Sequence, residues 1–201
     1  MLRAMSGLPE TEERVAELSA ACVLAVMQST GVTLDFTQDT LPILDHHLIE
    51  ARGAKDEVLA LIAPMAGAYF GEVVRRSLPG VRWHIAEAHP SWRIEFERCF
   101  LHFNPIGMAL EAIVRQEAAG WNAHLELLDE EKATVQEALD LLGEIRADDY
   151  YRLSVRYEVI EAAAQRLIGH RQGEGKRLLF GPEAYAAATP AAGGDDSAGD
   201  R

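Results

Sequence analysis

The chain has 201 residues, of which 48% are hydrophobic and 25% charged, and its formal net charge is −13. This composition is that of a folded domain and lacks the low hydrophobicity and high charge of disordered chains. The negative charge argues against nucleic-acid and membrane-surface partners, because it repels their phosphates. The two cysteines, Cys22 and Cys99, have no partner at metal or redox spacing. The N-terminal residues show no basic segment followed by an apolar one, so the sequence predicts a cytoplasmic protein.

Helical patterns dominate the first part of the chain. Residues 9–31 and 39–53 each predict a helix with one apolar face, and residues 33–36 predict a short strand between them. Residues 54–78 predict one long apolar helix. Pro64 should kink or divide it, because proline lacks a backbone donor.

A stripe of small residues runs along that long helix. It consists of Ala60, Ala63, Gly67 and Gly71, which recur at helical spacing. Small residues let a neighbouring helix or sheet approach closely. We therefore expect this face of the helix to pack tightly, with the predicted sheet as its neighbour.

After the turn at residues 79–80 the apolar period changes from about 3.6 residues to about two, as a change from helix to sheet requires. Residues 81–85 and 92–97 predict an antiparallel hairpin, and residues 99–103 a third strand. The residues expected to face the core are Trp83, Ile85, Trp92, Ile94 and Phe96. Those expected to face solvent are Arg93, Glu95 and Glu97.

The last third of the chain is predicted to be mainly helical. Asn104 can cap a helix whose first-turn residue is Pro105. The predicted segments are helices over residues 106–119, 129–145 and 148–168, a further strand within 121–127, and an apolar strap over 178–185.

Residues 186–201 are rich in alanine, glycine and aspartate and predict a disordered tail, because they cannot bury enough apolar surface to offset their ordering entropy. Residues 1–185 predict one domain. The expected fold class is α+β, with a small antiparallel sheet of three to five strands packed against several helices.

The seven histidines raise the question of a metal site. His46 and Glu50 share a predicted helix face, but their order does not match the zinc-protease pattern. His84 and His102 lie on strands that can be neighbours, and cross-strand polar pairing accounts for them without a metal. The glycine-rich stretch at residues 173–177 lacks the Ser or Thr of a phosphate-binding loop. The sequence therefore predicts no metal ligands, no cofactor and no catalytic residues.

Residues 67–76 read Gly-Ala-Tyr-Phe-Gly-Glu-Val-Val-Arg-Arg and are followed by Gly-Val-Arg-Trp at residues 80–83. This pattern resembles a family of small uncharacterised bacterial α+β domains, in which a Gly-x-Tyr-aliphatic-Gly-Glu-Val helix leads through a glycine turn into a tryptophan-containing strand. The resemblance covers residues 30–120, and Phe70 departs from it where a smaller aliphatic residue is usual. It implies the α+β fold and carries no activity.

The candidate binding residues are Tyr69, Glu72, Trp83, His84 and His102. Tyr69 offers a polar tip on an aromatic ring. Glu72, if it is buried beside the hairpin, must be paired or protonated, which makes it the best candidate for a functional carboxylate.

Three functions remain open. The absence of catalytic motifs and the negative charge favour a non-catalytic binding or regulatory module, an accessory or immunity-type protein that binds a protein with a basic surface; the sequence is also compatible with a homodimer. The alternatives are a metal-assisted hydrolase that uses the hairpin histidines, and a small-molecule-binding domain with a pocket between the glycine-striped helix and the sheet.

Overall fold

The computed structural model describes residues 10–146, 148–175 and 179–188. These residues form seven α-helices and one antiparallel sheet, which confirms the α+β class. The helices are α1 (Glu10–Thr30), α2 (Leu41–Glu50), α3 (Asp56–Ser77), α4 (Pro105–Val114), α5 (Lys132–Asp140), α6 (Leu153–Gly173) and α7 (Pro182–Ala188). The strands are β1 (Val81–His84), β2 (Arg93–Phe96), β3 (Leu101–Phe103) and β4 (Glu126–Leu127), in the order β1-β2-β3-β4.

The connection between α1 and α2 is irregular, so the strand predicted at residues 33–36 is wrong. The Asp35 carboxylate accepts hydrogen bonds from the backbone nitrogen of Thr37 at 2.9 Å and from its hydroxyl at 2.6 Å. Phe36 has a φ of 64°, in the left-handed region. This local turn keeps the segment out of the extended conformation that a strand needs.

Of the two effects predicted for Pro64, a kink or a division of the helix, the division is wrong, because α3 runs through Pro64 without interruption. By length and apolarity α3 could cross a membrane, but 61% of its most apolar window is buried inside the fold, which is the position of a core helix. A Cβ atom at Gly67 would lie 2.7 Å from the backbone nitrogen of Ile106, and one at Gly71 would overlap the indole ring of Trp83. The two glycines of the small-residue stripe therefore pack closely as predicted, Gly67 against α4 and Gly71 against the hairpin, whereas Ala60 at the other end of the stripe is exposed.

The predicted hairpin is confirmed. Val81 lies opposite Phe96, and Trp83 lies opposite Ile94. On the core face Trp92, Ile94 and Phe96 are at most 1% exposed. Trp83 and Ile85 are only partly buried.

The polar face of the hairpin is covered, which the sequence did not predict. Arg93 and Glu95 were expected to face solvent, but the Arg93 side chain is only 14% exposed and Glu95 only 1%. The Glu97 side chain remains 47% exposed. The cover is the predicted strap, here residues 179–188. Its Phe180 nitrogen donates to the Glu97 carbonyl at 2.8 Å, and its Tyr185 hydroxyl donates to the Phe96 carbonyl at 2.6 Å.

The C-terminal third differs from its prediction mainly at element ends. Helix α4 is capped by Asn104 as predicted, but it ends at Val114 because Arg115 adopts a left-handed φ of 60°. The strand predicted within 121–127 is limited to β4. Helix α7 extends three residues beyond the predicted start of the tail, and residues 189–201 lie outside the described residues.

Candidate functional site

A groove of about 540 Å³ lies where α1, the last turns of α3 and strand β1 meet. We call it the arginine groove. Its lining residues come from four segments that are distant in sequence: Glu12, Val15, Ala16, Ser19, Phe36, Glu72, Arg75, Arg76, Val81, Arg82, Trp83 and Ile85. The sheet leaves the outer edge of β1 beside the groove, because β1 pairs only with β2 among the described strands.

Glu72 is the central polar residue of the arginine groove. It is only 6% exposed, and its carboxylate accepts four hydrogen bonds. Arg75 donates two of them, from Nε at 2.7 Å and from Nη2 at 2.9 Å. Arg76 Nε donates the third at 3.1 Å, and Trp83 Nε1 donates the fourth at 3.0 Å. Glu72 is therefore buried and paired, and it fixes three of the side chains that line the groove.

We call Glu72 and its three partners, Arg75, Arg76 and Trp83, the Glu72 cluster. Its charge state follows from competing effects. Burial alone raises the pKa of Glu72, but hydrogen bonds from Arg75 and Trp83 and the charges of both arginines outweigh burial, and the pKa is lowered. The hydrogen bond to Glu72 in turn raises the pKa of Arg75. At neutral pH, Glu72, Arg75 and Arg76 together therefore carry one net positive charge.

Arg76 is held on two sides. Its Nε donates to Glu72, and its guanidinium carbon lies 3.8 Å from the centroid of the Phe36 ring. Such a cation–π contact stabilises the guanidinium above the ring. The Arg76 side chain nevertheless remains 46% exposed, so it is positioned without being covered.

Tyr69 lies behind the groove and does not line it. It is fully buried, and its hydroxyl accepts a hydrogen bond from the Phe36 nitrogen at 2.9 Å and shares one with Thr40 Oγ1 at 2.8 Å. Its ring also lies 4.8 Å from that of Phe36. Tyr69 therefore holds Phe36 in its left-handed conformation beneath Arg76 and acts as a positioning residue.

His84 and His102 lie on the other face of the sheet, around Glu95. His102 is the register partner of Glu95, and His84 Nδ1 is 3.9 Å from Glu95 Oε1. Arg82 and Arg93 occupy the two oxygens of the Glu95 carboxylate, at 2.7 and 2.8 Å. Burial, with a smaller contribution from Arg93, lowers the pKa of His102 to about 4.

The alternative of a metal-assisted hydrolase was based on the histidines of this polar face. Within the described part of the chain, no group of three or more His, Cys, Asp or Glu side chains could hold a metal ion. Each oxygen of the Glu95 carboxylate is paired with an arginine, Arg82 or Arg93. Cross-strand pairing, the simpler interpretation of these histidines, accounts for their positions.

Of the five candidate binding residues, the structure brings Glu72 and Trp83 together in the groove. It places Tyr69 behind them and puts the two histidines on the opposite face of the sheet. Sequence reasoning missed Phe36, which it assigned to a strand, and did not include Arg75 and Arg76 among the candidate binding residues. The spacing of three and four residues between Glu72 and these arginines was the available signal, since it places all three on one helix face.

Comparisons with known proteins show a similarity to an uncharacterised family. No curated protein and no solved structure matches the chain significantly. Residues 2–98 match the model of a family of unknown function (DUF6278). All residues that line the arginine groove fall within this range, so the part of the chain that forms the groove is also the part that is similar to this uncharacterised family.

Proposed function

We propose that this chain is a non-catalytic binding module whose ligand occupies the arginine groove. Ligand sites in proteins are concave, measure roughly 300–1,000 Å³, and combine apolar walls with a few fixed polar groups. The groove, at about 540 Å³, has this size and this combination. Val15, Phe36 and Trp83 supply apolar surface, and the Glu72 cluster supplies polar groups that are already held in position. This cluster is the observation that carries the proposal.

The chemistry of the lining residues supports binding over catalysis. The Glu72 carboxylate accepts four hydrogen bonds and its pKa is lowered, so it is a poor general acid or base. Ser19 is the only hydroxyl residue among the described residues that line the groove, and it donates to the carbonyl of Ala16 at 3.1 Å. It has no adjacent histidine that could activate it as a nucleophile.

A blocking substitution tests the proposal. Ala16 lines the groove from α1, so Ala16→Trp should fill it, whereas Ala20→Trp places the same side chain at an exposed position of α1 outside the groove. The measurement is the melting temperature of each protein against a library of small molecules. We expect compounds that stabilise the wild type and the Ala20→Trp variant but not the Ala16→Trp variant. A library without stabilising compounds, or compounds that stabilise both variants equally, would refute the proposal.

A further inference from the structure

We infer that the ligand of the arginine groove carries an oxyanion, a carboxylate or a phosphate group, on a flat apolar body, and that Arg76 binds the oxyanion. This inference rests on the proposed function, because it concerns the occupant of the same groove. Three features of the groove support it: the position of Arg76, the distribution of charge, and the surface of Trp83.

Arg76 is prepared to bind an anion. Glu72 fixes its Nε, and the Phe36 ring supports the plane of its guanidinium. The two terminal nitrogens of Arg76 donate to no described residue, and the side chain is 46% exposed. Ordering a long side chain costs affinity, and here the protein has already ordered it. A planar guanidinium with two free nitrogens matches the geometry of a carboxylate or phosphate.

The positive charge of the groove is least compensated at Arg76. Arg82 is paired with the buried carboxylate of Glu95. Arg75 donates two hydrogen bonds to Glu72 and also feels the charge of Glu12 across the groove. Arg76 makes only one hydrogen bond to the shared carboxylate. In a chain with a net charge of −13, this local excess of positive charge favours one anionic group at that point.

Trp83 offers the apolar surface for the rest of the ligand. Its ring is partly exposed in the groove, and it is fixed by its hydrogen bond to Glu72 and by contact with Gly71. Val81 on β1 and Ile85, directly after the end of β1, line the groove on either side of it. A flat apolar group beside Trp83 would bury surface on both partners, and an aromatic group would gain further from stacking or edge-to-face contact with the indole ring.

Four probes separate the parts of this inference. Phenylacetate and phenylacetamide differ in charge but hardly in shape. Phenyl phosphate replaces the carboxylate by a phosphate, and inorganic phosphate lacks the apolar body. Calorimetric titration of the full chain with each probe, at millimolar concentrations, should show binding of phenylacetate or phenyl phosphate and much weaker binding of the amide and of inorganic phosphate.

Substitutions of Arg76 test whether this residue binds the anionic group of the probe. Arg76→Gln should weaken binding of the anionic probe by about ten- to hundredfold, as expected for loss of a charge-assisted hydrogen bond. Arg76→Lys keeps the charge and should retain part of the affinity, which guards against a folding defect in the first variant. Arg52→Gln removes an exposed arginine after α2, outside the groove, and should leave affinity unchanged.

The outcomes distinguish this inference from the proposed function. If the amide binds as tightly as the anions, or if Arg76→Gln leaves affinity unchanged, the oxyanion is excluded while the groove remains a binding site. Equal affinity for inorganic phosphate and phenyl phosphate would show that the ligand does not need an apolar body. If none of the four probes binds but neutral library compounds are blocked by Ala16→Trp, the inference fails alone. If the library also contains no compound that stabilises the protein, both this inference and the proposed function fail.

Discussion

The indole nitrogen of Trp83 donates to the Glu72 carboxylate at 3.0 Å, and the ring of the same tryptophan lies against Gly71. Glu72 and Trp83 are eleven positions apart, on opposite sides of the turn between α3 and β1. Because the carboxylate also holds Arg75 and Arg76, a single buried group links the last turns of α3 to the edge strand of the sheet. The stability of the fold and the shape of the groove therefore depend on the same contact.

Replacing Glu72 by glutamine should destabilise the protein. Glu72→Gln keeps the size of the side chain, but it turns its amide donors toward the donors of Arg75, Arg76 and Trp83. Leaving such groups without an acceptor costs about 1–3 kcal/mol. Denaturant unfolding at neutral pH should show this loss in the free energy of unfolding. Glu13→Gln, at an exposed position of α1, should change it by less than about 0.5 kcal/mol.

The contribution of Glu72 to the free energy of unfolding should also depend on pH. Because the pKa of Glu72 is lowered in the folded state, its contribution is complete above its unfolded-state pKa and disappears as the pH falls through the folded-state pKa. The difference in unfolding free energy between the wild type and Glu72→Gln should therefore shrink on acidification. A difference that stays constant down to acid unfolding would show that the charge of Glu72 contributes nothing.

The two glycines of the stripe should respond differently to alanine. At Gly67 the new Cβ meets the backbone of Ile106, which cannot move without displacing α4, so overpacking should cost about 1–3 kcal/mol. This exceeds the gain in helix propensity, at most about 1 kcal/mol. At Gly71 the obstacle is the Trp83 side chain, which can move away from the new Cβ by lengthening its hydrogen bond to Glu72. Denaturant midpoints should fall clearly for Gly67→Ala and less for Gly71→Ala. An unchanged or higher midpoint for Gly67→Ala would refute close packing against α4.

The sequence predicted the elements whose cause is local. The apolar periods of α1 and of the hairpin each reflect one apolar face, and Asn104 with Pro105 marks the start of α4 by its own cap. Helix α3 is apolar because it is buried on all sides from Ala66 to Val74. The small-residue stripe predicted close packing, because small residues at helical spacing are needed where a neighbouring backbone or ring comes close to the helix. These features can be read from a few adjacent residues.

The features that were missed depend on contacts between distant segments. Alternation in β2 distinguishes two faces but cannot show that Tyr185, about ninety residues away, covers the polar one and buries Glu95. Phe36 adopts a left-handed conformation that its residue type does not predict, and a hydrogen bond to Tyr69 holds it there. The groove needs α1, α3 and β1 together, so no single motif could reveal it.

Helix α6 depends on a cap from another helix. The sequence predicted that Asp148 begins this helix, but Asp45 on α2 accepts from the backbone nitrogens of Leu153 at 2.6 Å and Ser154 at 3.1 Å. Asp45→Ala should lower the free energy of unfolding by about 1–2 kcal/mol, as expected for loss of an N-cap.

The control for this cap is Asp45→Asn, which keeps an acceptor oxygen. Burial raises the pKa of Asp45 despite its hydrogen bonds, so loss of the charge should cost little. Denaturant unfolding should rank Asp45→Asn between the wild type and Asp45→Ala, because its single oxygen can accept from only one of the two backbone nitrogens. Equal stability of all three proteins would mean that α6 does not need this cap.

His102 should make the protein less stable as the solution becomes acidic. It lies opposite Glu95 on the covered face of the sheet, with the Tyr185 ring 5.4 Å away. Burial and the nearby charge of Arg93 lower its pKa from 6.5 to about 4, although Glu95 opposes this. Between these values the unfolded chain binds a proton that the folded chain does not. The contribution of His102 to stability therefore falls as the pH drops below 6.5, by about 2 kcal/mol between roughly pH 7 and pH 5.

Two substitutions test this, because each removes the titrating group while preserving a different property of it. His102→Phe keeps a flat ring for contact with Tyr185, and His102→Gln keeps a polar side chain beside Glu95. Denaturant unfolding across this pH range should give both variants a smaller loss of stability than the wild type, by about 2 kcal/mol. Agreement between the two variants separates protonation from packing, since only protonation is lost in both. If both variants lose as much stability as the wild type, His102 is protonated in the folded state, and the covered face of the sheet is open to water.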